Sequence, residues 1–342
     1  MKHITQYKTS ICVALLAVLS LFSAASSAVE SLPIKKLVIA GPPAGVSNGL
    51  IHLMANDGFA DIAEEIEFLV WTNPDQLRAL ALNDKVDFIA MPTNVAANLY
   101  NRGAPLALLN VSQWGALWMV SRDPNMKTLA DFKGQEIAVP FRADMPDIVF
   151  THLAERQGLT PKDFKINYTA TPMDAMQLLI MRRIDHALLA EPAISMALRK
   201  TKSFPISLIA PELHRSVDLQ QEWARVMGTE ARIPQAGITV VGDKRNHTAL
   251  IERFETAYAT AMQWCAEHQQ ECGVEVAAKI SMLSADAVSD SVAAQVNYYA
   301  TASEAKAELE DFFQILLDKQ PASVGGKLPD AHFYANPTRA EQ

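Results

Sequence analysis

Six short turns of this sequence could meet a ligand, and five of them carry amide, hydroxyl, charged or aromatic side chains. The six are Gly41-Pro42-Pro43-Ala44-Gly45, Trp71-Thr72-Asn73, Pro92-Thr93-Asn94, Phe141-Arg142-Ala143-Asp144, Ala170-Thr171-Pro172 and Ala190-Glu191-Pro192. Hydrogen-bonding groups beside flat rings are what non-covalent capture of a small molecule requires. Each residue also has a plainer use. Thr93 and Asn94 suit helix N-caps as well as ligand contacts. Trp71 and Trp114 fill a core or stack on a ligand. Arg142 is a solvated charge or an anion contact. Glu191 caps a helix, pairs with Arg142, or takes a ligand amine or hydroxyl. Asp144 suits the cap of a helix starting near Pro146. Met91, Met119, Met145, Met173, Met176 and Met181 read as packing residues.

Covalent chemistry has no comparable signal. Gly41 to Gly45 contains glycine but matches neither GxGxxG nor GxxxxGK[ST], and HExxH and CxxC are missing from the sequence. No His, Cys and Asp residues stand at metal-ligand spacing. No enzyme activity, cofactor or metal is expected. Cys265 and Cys272 would lie about 10.5 Å apart on one unbroken helix, too far to bridge. A helix break near Glu271-Gly273 would allow a disulfide, and both states stay open.

The turns must be held by strands and helices. KKLVIA (35–40), IEFLVW (66–71) and DFIAM (87–91) read as strands, with helices over 50–59 and from Asp75 to Asp84 between them. Strands alternating with helices predict parallel β-α-β units. About 100 residues later the pattern recurs. QEIAVP (135–140), FKINYTA (164–170) and IDHALLA are the strands, and IVFTHLAERQGL and TPMDAMQLLIMRR the helices. Leu53 and Gly58 match Leu153 and Gly158, and Asp75 matches Asp174. With one gap, DKVDFIAMPTNVAANL lies over RRIDHALLAEPAISMAL, so Thr93-Asn94 fall on Glu191-Pro192. Any two β-α-β stretches share a rhythm, but three landmarks at nearly constant offset favour two similar α/β domains.

LALLNVSQWGALWMVSR reads as one long strand-like run, 200–234 as polar and irregular, and AGITVVGD as a further strand. Helices are expected at 249–264, 274–282, 292–300 and near 303–318. The chain then leaves the first domain near residue 119 and returns near 236. This gives a discontinuous domain of 32–119 plus 236–342, a second of 120–235, and a two-crossing hinge. Ligands of open α/β sheets bind beyond the carboxyl ends of the strands. All six turns would therefore face one cleft.

Residues 1–28 read as a secretory signal peptide. Lys2, His3 and Lys8 precede the apolar run Ile11 to Phe22, and Ser26-Ser27-Ala28 supplies small residues for cleavage after Ala28. The run falls short of the roughly 20 residues a membrane span needs. Cys12 lies inside it, away from the cleavage point. A periplasmic, monomeric protein is expected. Beyond Ala28, 28 basic residues face 38 acidic ones, a balance of −10. Such a surface disfavours nucleic acid and anionic membranes as partners. The remaining length suits two cores better than one.

KTLADFKGQEIAVP, RRIDHALLAEPAISMAL, DKVDFIAMPTNVAANLYNRG and GGKLPDAHFY together resemble the periplasmic solute-binding proteins of the nitrate/sulfonate/taurine and thiamine-precursor ABC importers, over roughly 33–335. The resemblance implies a type II "Venus flytrap" fold. It also implies a small-molecule ligand trapped by hinge closure and delivery to an ABC permease with its cytoplasmic ATPase. By position it implies ligand contacts at Pro43, Ala44, Gly45, Trp71, Thr93, Asn94, Gln113, Trp114, Phe141, Arg142, Asp144 and Glu191. Many relatives carry glycine and serine where this chain has Phe141 to Pro146. A sulfonate or nitrate would use small hydroxyl residues there, so a flat heteroaromatic, such as a thiamine pyrimidine precursor, fits about as well. A ligand-presenting sensor keeps the same fold. A pyrimidine-synthase-like enzyme needs a cysteine-rich motif that this sequence lacks.

Overall fold

The computed structural model describes residues 32–83, 85–208 and 212–335. The leader at 1–28 lies outside the described residues. The first half runs β1 (Ile34–Gly41), α1 (Asn48–Ala55), β2 (Ala63–Val70), α2 (Pro74–Leu82), β3 (Phe88–Pro92), α3 (Thr93–Asn101), β4 (Leu106–Leu108) and β5 (Asn110–Val111). Then follow β6 (Leu117–Ser121), β7 (Glu136–Pro140), α4 (Met145–Arg156), β8 (Lys165–Thr169), α5 (Pro172–Ile180), β9 (His186–Ala190), α6 (Ala193–Lys202), β10 (His214–Asp218) and α7 (Leu219–Met227). The chain closes with β11 (Ala236–Val241), α8 (Thr248–Glu267), α9 (Gln269–Lys279), α10 (Ala285–Ala294), β12 (Ala300–Thr301) and α11 (Lys306–Lys319).

Two five-stranded sheets result, and they share one topology. The first has the order β2-β1-β3-β11-β4 and the second β8-β7-β9-β6-β10. In each, the three β-α-β strands are parallel and the fourth strand runs antiparallel to both its neighbours. The fourth strand comes from the far side of a crossing. β6 follows the first set of units but pairs in the second sheet; β11 follows the second set but pairs in the first. The sheets are thus mixed, not wholly parallel as the β-α-β reading predicted.

Inward-facing Leu37, Ile39, Phe88 and Ile238 are fully buried against α8, where Phe88 stacks on Phe254 with ring centroids 3.9 Å apart. Each such side chain contributes about 1.5–3 kcal/mol of hydrophobic stabilisation. Gly237 in β11 fits this packing because it has no side chain. A Cβ there would stand 1.8 Å from the Asn110 carbonyl oxygen.

Several local readings needed correction. The run 106–122 is three short strands, with β5 paired to β12 and not to either large sheet. The stretch 200–234, read as irregular, holds β10 and α7. Its hydrophobic pattern is hidden because β10 is an edge strand with a single apolar residue, Val217, among polar ones. The expected helix at 292–300 ends at Ala294, and the chain becomes extended. Cys265 and Cys272 form a disulfide with Cα atoms 5.2 Å apart. The break that permits it falls at His268, between α8 and α9, and not at Glu271-Gly273. Among the described residues no helix is long and apolar enough to cross a membrane.

Candidate functional site

A cavity of about 420 Å³ lies where the carboxyl ends of the two sheets meet. All six turns reach it. From the first sheet come Pro42, Pro43 and Ala44, then Trp71 and Thr72, then Pro92 and Asn94; from the second come Phe141 and Asp144, Thr171, and Ala190 and Glu191. Local sequence makes each turn. Asn73 caps α2 by accepting the Asp75 and Gln76 amides, and Thr171 caps α5 through the Asp174 amide. Proline follows each cap at the first helical position, where its missing N–H costs nothing.

Trp71 is held by its own indole N–H, which donates to the Ala90 carbonyl at 3.0 Å. The ring therefore forms a fixed wall. Gln113 accepts the Val46 amide at 3.1 Å, tying the 42–46 turn to the crossing segment. Beneath them, Tyr258 donates to the Val46 carbonyl at 2.7 Å and meets the Ser112 hydroxyl at 2.8 Å. Burial pushes the Tyr258 hydroxyl pKa up, so it stays a donor.

Two residues face each other across the cavity edge. Asn94 Nδ2 donates to Asp144 Oδ1 at 2.8 Å, and the same carboxylate oxygen accepts the Met145 amide at 2.7 Å. Asp144 thus caps α4 as expected, while Asn94 caps nothing and reaches across. Glu191 is fully buried. Its Oε2 accepts the Ser195 amide at 3.1 Å, and its Oε1 pairs with Arg215 from β10. Arg215 also donates to the Ser195 hydroxyl at 2.9 Å. Glu191 therefore combines the cap and the ion pair, but with Arg215 in place of Arg142. A buried carboxylate needs such a partner.

Pro43, Ala44, Trp71, Asn94, Gln113, Phe141, Asp144 and Glu191 line this cavity; Gly45, Thr93, Trp114 and Arg142 do not. Thr93 is buried, with its hydroxyl donating to the Pro234 carbonyl at 2.6 Å. Trp114 is wholly buried under the Arg232 guanidinium, with its N–H on the Val111 carbonyl. Gly45 packs toward the Gln295 side-chain amide, whose Oε1 would stand 2.9 Å from a Cβ placed there. Arg142 lies over the Tyr168 ring, 5.2 Å from its centroid, beside a separate cavity.

Other lining residues were not foreseen: Gln235, Leu117, Met173 and Met282. Gln235 stands immediately before β11 at the second crossing, and that position was its only signal. Among the described residues no Lys, Arg or His lines the cavity, whose walls are mostly Pro, Met, Leu, Val and Trp. Two buried acceptors on the wall, Asn94 Oδ1 and Gln235 Oε1, have no partner among the described residues. Buried acceptors of this kind are commonly met by a donor from water or from a bound molecule. The described residues contain no group able to hold a metal.

Comparison with known proteins places this architecture. The fold matches an ABC transporter protein from Parabacteroides distasonis with a TM-score of 0.71 and 24% identity, over 89% of this chain and 99% of that one. It matches the periplasmic nitrate-binding protein NrtA from Synechocystis (0.65, 13%, 91% and 94%). It also matches the periplasmic aliphatic sulphonate binding protein SsuA from Escherichia coli (0.62, 15%, 86% and 92%). The shared fold is the type II periplasmic-binding architecture. No curated protein sequence matches significantly. The family described as NMT1/THI5 like matches residues 59–272, well over half the chain. With its two sheets of one topology and the cavity between their strand ends, the chain belongs to the NMT1/THI5-like family.

Proposed function

We propose that the protein is the solute-binding component of an ABC importer. In this reading it captures a small molecule in the cavity between the sheets and delivers it to a membrane permease with a cytoplasmic ATPase. It acts in the periplasm, as a monomer and without catalysis. The basic, apolar and small residues of 1–28 and the periplasmic relatives support that location. Residues 32–119 with 236–342 form one closing lobe and 120–235 the other.

The observation that carries the ligand class is the chemistry of the cavity wall. Among the described residues it offers a fixed indole, apolar neighbours, two unpartnered acceptors and no cationic side chain. A bare nitrate or sulfonate needs positive charge or converging donors. A flat, uncharged heteroaromatic ring bearing N–H or O–H donors matches the wall instead. It would stack on Trp71 and donate to Asn94 and Gln235.

Native mass spectrometry of the freshly purified protein should reveal a co-purifying small molecule. A thermal-shift panel of pyrimidines, aromatic acids, alkanesulfonates and nitrate then ranks the classes, since a ligand stabilises the native state by mass action. Aminopyrimidine-like rings should give the largest shifts, and Trp71→Ala should weaken their binding about ten-fold. Stabilisation by nitrate or alkanesulfonates alone, with Trp71→Ala binding as the wild type does, would sink the heteroaromatic assignment.

A further inference from the structure

Three arginines converge beside the cavity without entering it. Arg78 from α2, Arg102 just past α3 and Arg142 from the turn before α4 line a second cavity of about 320 Å³. The two cavities adjoin, because Asn94, Val95 and Asp144 line both. In a chain carrying a net negative charge, three guanidinium groups around one space make a local positive field.

Their charges are poorly neutralised. Arg78 touches Asp75 only at 3.5 Å, and that carboxylate is 98% exposed. Arg142 rests on the Tyr168 ring and Arg102 extends into the cavity wall; neither has a salt-bridge partner among the described residues. Asp144 is the one carboxylate among the lining residues, and its Oδ1 is already taken by Asn94 and the Met145 amide. A separate observation points the same way. The Ser323 hydroxyl, on this wall, is buried without a partner among the described residues, and so is Oδ1 of Asn94, a residue 1% exposed. A hydroxyl donor among guanidinium forks suits an oxyanion. The lone amide acceptor at the junction suits a donor on the segment linking two parts of one ligand.

We propose that the second cavity is an oxyanion subsite for the charged end of the solute whose ring occupies the first. The solute class is then amphipathic, with a flat uncharged head, a donor-bearing link past Asn94, and a terminal phosphate, sulfonate or carboxylate. The proposal rests on the first cavity being a solute site. It also reconciles that cavity's lack of cations with anionic ligands, because head and charge are recognised in separate chambers.

Isothermal titration of the full chain at low salt tests this with three compounds: 2-phenylethanol, 2-phenylethyl phosphate and inorganic phosphate. The ester should bind at least ten-fold tighter than the alcohol. Raising the ionic strength to several hundred millimolar should erode that advantage. In Arg78→Gln/Arg102→Gln, with folding checked by circular dichroism, the ester's affinity should fall to that of the alcohol. Trp71→Ala should weaken the alcohol and the ester together. An ester advantage that survives the arginine substitutions overturns the proposal, as does the absence of any phosphate-dependent binding. Inorganic phosphate binding as tightly as the ester overturns the tethered-solute assignment in favour of a free-anion site. Failure of the solute reading has its own signature: Trp71→Ala leaves alcohol binding untouched while phosphate binding still depends on the arginines.

Discussion

Phe141 and Ala143 both adopt left-handed backbone, each at φ 59°. Residues with a Cβ pay about 1–2 kcal/mol there, where glycine pays nothing. The turn is held by its surroundings: Asp144 caps α4, and the Ala143 amide donates to Asp147 at 2.8 Å. The conformation swings the Phe141 side chain to the cavity and Arg142 to its neighbour. Ala143 is exposed, so Ala143→Gly removes strain and little else. It should stabilise the protein by roughly 1 kcal/mol in chemical denaturation; an unchanged midpoint would mean the surroundings relax around alanine. At this scale the sequence was partly legible. Trp71, Asn94 and Asp144 stand directly after strands, and strand ends meet at the site. Gln235 and Met282 were not legible, because they reach the cavity from segments distant in the chain. Arg215, the partner of Glu191, hides in an edge strand without an apolar pattern.

Among the elements, the junction of β5, β11 and α8 holds an acid where core would be expected. Glu255 on α8 is buried, accepting from Asn110 Nδ2 at 2.5 Å and from the Tyr299 hydroxyl at 2.7 Å. Burial dominates those bonds and pushes its pKa up from 4.5 to about 7. The folded state therefore binds this proton more tightly than the unfolded chain does. Its stabilising contribution is complete below about pH 4.5 and is lost as pH rises through about 7. A shift of this size corresponds to roughly 3 kcal/mol. Wild-type melting temperature should decline from pH 5 to 8 relative to Glu255→Gln, whose profile lacks this component; parallel profiles would remove Glu255 from the account. The sequence offered no hint of this acid. Glu255 lies in the long amphipathic pattern of α8, where one more glutamate reads as a solvated charge. The β-α-β strands, by contrast, were legible because short apolar runs and proline-led caps mark both of their ends.

Across the whole molecule, contacts link elements of the two sheets outside the cavity. Arg199 on α6 donates to Asp286 and to Asp290 on α10, each at 2.9 Å. Lys319 on α11 pairs with Glu155 on α4, and Asn94 meets Asp144 at the cavity edge. These contacts tie elements of the two sheets together around the cavity. If capture proceeds by closure, a ligand must draw on the population of closed molecules, and anything stabilising that population raises apparent affinity. Arg199 touches no cavity residue, and its pairs are half exposed and weakened by solvent. Arg199→Ala should weaken binding of whichever panel compound proves tightest by about two- to five-fold, mainly through faster release. Unaltered affinity would show that closure does not depend on this pair.

The swapped fourth strands also set the order in which the molecule can be built. Until residues 236–241 are available, the first sheet has a gap between β3 and β4, with hydrogen-bonding edges open on both sides. No sequential, front-to-back assembly can finish it, because its fourth strand is delivered only after the whole second sheet has been synthesised. Long-range closure of this kind is slow relative to local folding. A chain that cannot complete its first core until two thirds of it has emerged remains threadable for that interval. Late completion is thus a property of the topology itself.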